Sequence, residues 1–136
     1  MEKLTSPKTT YLLQAGVEVL HYETREWQRN IEFWQDEMLF LNRVADQFSG
    51  KITRGVHNIK NFREKLFHYR TVVLPQLFRE CGEHEKLLAK YIETENTSDK
   101  EAYRQKHLEL SRNIQSTEEE LRRLKKDLYL YLEEFK

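Results

Sequence analysis

The chain has 136 residues, with 23 acidic and 23 basic side chains in formal balance. That length is one domain's worth, and the charge balance lacks the basic excess with which a nucleic-acid binder replaces phosphate counterions. Apolar residues make up 38% and charged residues 34%, with only four glycines and two prolines. A sheet protein would need more turn residues, so the composition points to long, exposed helices. No apolar run approaches the length of a membrane span, and Met1 to Thr10 lacks the apolar core of a secretion signal. A single cysteine, Cys81, forms no internal disulfide, which makes the cytoplasm the expected location.

The first segment follows a coiled-coil spacing. Alternating steps of four and three from Leu13 reach Val17, Leu20, Thr24, Trp27, Ile31, Trp34, Met38, Leu41, Ala45 and Phe48. Only Thr24 on that path is polar, and strand-like alternation is absent. Ser6-Pro7 supplies a capping residue followed by proline at the first helical position, and Ser49-Gly50 supplies a stop. The spacing predicts a helix over about 7–48.

The second segment, about 53–93, keeps the step through Ile59, Phe62, Leu66, Tyr69 and Val73. After one extra residue it resumes at Leu77, Cys81, His84, Leu88 and Tyr91. The slip falls beside Pro75, which has no amide to donate and whose ring crowds the carbonyl of Thr71. A kink is predicted there, within one continuous helix.

The third segment, about 98–135, steps through Tyr103, His107, Leu110, Ile114, Thr117, Leu121, Leu124, Leu128, Tyr131 and Phe135. Ser98 and Glu101 have the spacing of a capping box. Glu118–Arg122 and Glu119–Arg123 are placed for i,i+4 ion pairs. Short connections make the neighbours antiparallel. The expected fold is all-α: an elongated up-down-up antiparallel three-helix bundle with coiled-coil-like packing, similar in outline to the rods of spectrin repeats. That likeness is one of architecture and rests on no family motif. Residues 1–50 carry a net charge of −3 and residues 51–97 a net of +3, which favours pairing of the first two helices.

Two features carry the functional expectations. With the first hairpin centred near residue 51 and the second near 96, Glu18, His21, Cys81, His84 and His107 fall at one level of the rod. Imidazole, thiolate and carboxylate together suit Zn(II) or a similar ion. The competing reading is a polar layer in which His84 and His107 share hydrogen bonds with Glu18 and fix the helix register. Cys81, on an inner face, is expected to be an inert core thiol. The second feature is a row of apolar residues at multiples of seven on the flank of the first helix, well away from its inner face: Leu12, Val19, Phe33 and Phe40. Phe67, Leu74 and Phe78 add to the excess on the second helix. Either the third helix covers this row or a partner does, most economically a second copy in a two-fold dimer. There is no phosphate loop, nucleophile elbow or paired-carboxylate signature. The expectation is therefore a non-catalytic helical interaction or scaffold protein, with a metal-binding bundle as the alternative.

Overall fold

A computed structural model describes residues 16–48 and 56–133. Three helices follow one another: α1, Val17–Phe48; α2, built from Val56–His68, a π-helical turn Tyr69–Val73 and Leu74–Glu93; and α3, Thr97–Leu132. They form an all-α, up-down-up three-helix bundle, with no strand among the described residues. At 1.5 Å per residue, α1 extends about 48 Å and α3 about 54 Å.

The coiled-coil spacing becomes the core. Leu20, Thr24, Trp27, Ile31, Trp34, Met38, Leu41 and Ala45 of α1 are all buried. They meet Tyr103, His107, Leu110, Ile114, Thr117, Leu121, Leu124 and Leu128 of α3, buried in the same periodic order. The mid-rod aromatic bulk of Trp27 and Trp34 packs in this core, with Tyr69 against it. Thr24, the one polar residue on its stripe, donates its hydroxyl proton to the Leu20 carbonyl at 2.9 Å. A buried hydroxyl is thereby satisfied within its own helix.

The disturbance expected beside Pro75 takes the form of the π turn immediately before it. The Leu74 amide donates to the Tyr69 carbonyl, five residues back. A π turn absorbs one extra residue, so the helix passes the slip without breaking. The inner face then resumes at Leu74, three residues before the Leu77 that the spacing indicated. Leu74, assigned to the outer excess, is fully buried, whereas Tyr69 and Val73 are only partly covered. Phe78 also packs against the core, while Phe67 remains exposed.

The helix ends differ in detail. Gly16 precedes α1 and is not helical, so the helix predicted from residue 7 is not continuous through this position. Glycine is a poor interior helix residue. The Ser6-Pro7 start and the Ser49-Gly50 stop lie outside the described residues. At α3 the cap is Asn96 rather than the Ser98–Glu101 box: its side chain accepts the Asp99 amide at 3.2 Å. Asparagine caps as well as serine does, and here it starts the helix one residue sooner. Glu118 pairs with Arg122 as expected, but Arg123 takes Glu120 in place of Glu119.

Candidate functional site: a buried His–His layer and an outer aromatic row

Two side-chain contacts set the level at which α1 and α2 meet. Arg63 Nη2 lies 2.6 Å from Asp46 Oδ1, and His21 pairs with Glu85. Both pairs place the hairpin midpoint between residues 53 and 55, a few residues beyond the expected 51. The extra residues move the α1 partner of His84 by more than one turn, from Glu18 toward Glu23. Glu18 is exposed on the surface.

The polar layer that results has a definite order. His107 Nε2 lies 2.8 Å from Glu23 Oε1, and His107 Nδ1 lies 3.0 Å from His84 Nε2. A carboxylate only accepts, so His107 must donate from Nε2 and present Nδ1 as an acceptor. His84 then donates from Nε2 and keeps a lone pair at its buried Nδ1. The chain runs from His84 through His107 to Glu23 and fixes the tautomer of both rings. His107 is fully buried and His84 nearly so. Burial lowers the pKa of His84 to about 4, helped by His107 and Lys106. Burial also lowers His107 to about 4, with Arg104 acting in the same direction. Both rings are therefore neutral at physiological pH, with Glu23 serving as acceptor for a neutral N–H.

Aromatic rings close the layer. Trp27 lies against His107 at a centroid separation of 4.6 Å. Tyr103 stacks on His84 at 4.1 Å with the planes 10° apart, and Tyr91 packs on Tyr103 at 4.9 Å.

Of the five expected metal ligands, His84 and His107 come together, but as hydrogen-bond partners. The lone pair of His107 Nδ1 is spent on the His84 proton. His21 faces Glu85, and Cys81 is enclosed in the main hydrophobic cluster. Among the described residues, no three His, Cys, Asp or Glu side chains converge as ligands for an ion. Burial, with Glu80 adding, pushes the Cys81 thiol up to about 12. Native protein at pH 8 should consequently show no reaction of Cys81 with a disulfide reagent on the timescale of minutes, with full reaction in denaturant. Immediate stoichiometric release of the chromophore would contradict this.

Glu23 is the member of the layer that the residue spacing missed. It stands one position before the inner stripe, where its side chain reaches across to α3. Its signal was its place two residues after His21 and four before Trp27, legible only once the hairpin midpoint is known.

The outer row divides. Leu12 lies outside the described residues. Val19 is half-buried against the small cluster of Leu20, Leu88, Tyr91 and Tyr103, so it belongs to the bundle itself. Phe33 and Phe40 are not covered by the third helix: they are 63% and 60% exposed, and Tyr22 is 62% exposed. At 100° per residue all three share the side of α1 opposite the core. Between the core and this row, Glu37 Oε2 accepts from Lys125 Nζ of α3 at 3.0 Å. No described helix is long and apolar enough to cross a membrane.

Comparison with family models, with curated proteins and with solved structures finds no match.

Proposed function

We propose that the chain is a non-catalytic, cytoplasmic helical interaction protein that associates with a second copy of itself through the outer face of α1. The observation that carries this reading is the pair Phe33 and Phe40, both mostly exposed and two helical turns apart. Large rings in a row on one face lose favourable burial unless something covers them. Each phenylalanine contributes about 1.5–3 kcal/mol when taken out of water. A two-fold contact buries the same patch on both subunits, so the two residues supply four rings. The spacing of seven suits a helix laid against a helix.

Sedimentation velocity tests the reading. Wild type is expected to show a concentration-dependent shift toward a dimer, and Phe33→Glu combined with Phe40→Glu to sediment as a monomer at every concentration. The double variant should keep its helical circular dichroism, because neither ring is in the core. Two monomers with superimposable profiles would end the proposal.

A further inference from the structure

The His84 layer opens toward solvent on one side, in a cleft of about 380 Å³ between the end of α2 and the start of α3. Two deeply buried polar atoms of its lining have no protein partner: His84 Nδ1 and the Tyr103 hydroxyl. His84 is 2% and Tyr103 is 7% exposed. A buried polar atom left unpaired is costly, and such atoms in a cleft mark where a ligand group is accepted.

Their chemistry is already set. The Glu23–His107–His84 chain makes His84 Nδ1 an acceptor, so only a donor satisfies it. Burial, then Glu85 and Tyr91, raise the pKa of the Tyr103 phenol, which keeps its proton and can donate. The two rings are stacked with centroids 4.1 Å apart, and both residues line the same cleft. Leu87 and Tyr91 supply apolar surface beside them. Tyr91 is itself held beneath two cations, with Lys100 Nζ at 5.7 Å and the Arg104 guanidinium at 5.4 Å from its centroid. The cleft's charged lining is Lys90, Lys106 and one opposing carboxylate, Asp99, a net of one positive charge.

We propose that this cleft binds a small hydroxylated aromatic acid. The ligand hydroxyl donates to His84 Nδ1 and accepts from Tyr103. The flat ring lies along Leu87 and Tyr91, and the carboxylate meets Lys90 and Lys106 at the mouth. The site is independent of the Phe33–Phe40 face, so either proposal can fail without the other.

Calorimetric titration of the full chain with 4-hydroxybenzoate tests it. Saturable one-to-one binding is expected. Benzoate, which lacks the hydroxyl, and 4-hydroxybenzyl alcohol, which lacks the carboxylate, should each bind about tenfold more weakly or worse. Tyr103→Phe keeps the ring stack and should cost the hydroxylated ligand about tenfold while leaving benzoate unchanged. Lys90→Ala with Lys106→Ala, both exposed positions, should weaken the acid and leave the alcohol unchanged. No saturable heat with 4-hydroxybenzoate, equal binding of benzoate, or indifference to Tyr103→Phe would each overturn the assignment.

Discussion

Acidification from pH 6.5 to pH 5 is expected to remove about 3 kcal/mol of stability through His84 and His107 together. The sign follows from their burial. In the unfolded chain an imidazole takes up a proton near its ordinary pKa of about 6.5. In the folded bundle both rings stay neutral until about pH 4. Between those values the unfolded state binds more protons, so stability is greatest above pH 6.5 and falls as pH falls toward 4. For a domain whose whole stability is about 5–15 kcal/mol, the loss is large. Urea titrations at half-unit pH intervals measure it. Replacing both rings, as His84→Leu with His107→Leu, should flatten the curve between pH 6.5 and 5, whatever the double variant's stability at neutral pH. Glu23 keeps a half-exposed position from which water reaches it. A wild-type curve already flat across that window would show that these rings titrate alike in both states.

Deleting one residue from the π turn should be tolerated, whereas deleting one elsewhere in α2 should unfold the protein. Leu66 and Leu74, both fully buried, are eight residues apart where the rest of the helix repeats every seven. Removing Val72, which is 46% exposed, restores seven and lets an unbroken α-helix carry both leucines to the core. Proline in an α-helical interior costs about 3 kcal/mol, so the deletion is paired with Pro75→Ala. The contrasting deletion is Arg79, which is exposed and lies in regular helix. Its removal turns Cys81, His84, Leu88 and Tyr91 by about 100° away from their partners. At about 1.5–3 kcal/mol for each large apolar side chain, that exceeds what a small domain holds in reserve. Circular dichroism melts of the two deletions decide the matter. A cooperative melt near wild type for the first and its absence for the second are expected; equal damage from both would deny the π turn its role as an absorbed insertion.

The three helices and nearly every core position were readable from the chain because burial in a three-helix rod follows a fixed period. Trp27, Trp34, Leu110 and Leu121 fall on it with no adjustment. The π turn was half readable. The slip between Val73 and Leu77 and the nearby Pro75 marked the place, but spacing alone did not decide which side of the slip Leu74 belongs to. The site was harder. His84 and His107 stood on core steps, so their meeting followed from the second, short connection. Their carboxylate partner depended on the first connection, whose midpoint is not marked by any single residue. A displacement of a few residues there exchanged Glu18 for Glu23. Phe33 and Phe40 were visible as an excess, but whether α3 covers them depends on where α3 lies around α1, which one helix's periodicity does not fix.

The imidazole nitrogens of His84 and His107 give the most direct test of the buried layer. Two-bond nitrogen–proton correlation spectra, recorded on ¹⁵N-labelled protein from pH 7.5 to 4.5, report tautomer and charge together. Two neutral rings, each protonated at Nε2 and holding that state down to about pH 5, are the predicted result. Rings that become positively charged near pH 6.5, or a His107 protonated at Nδ1, would contradict the ordered chain from His84 to Glu23.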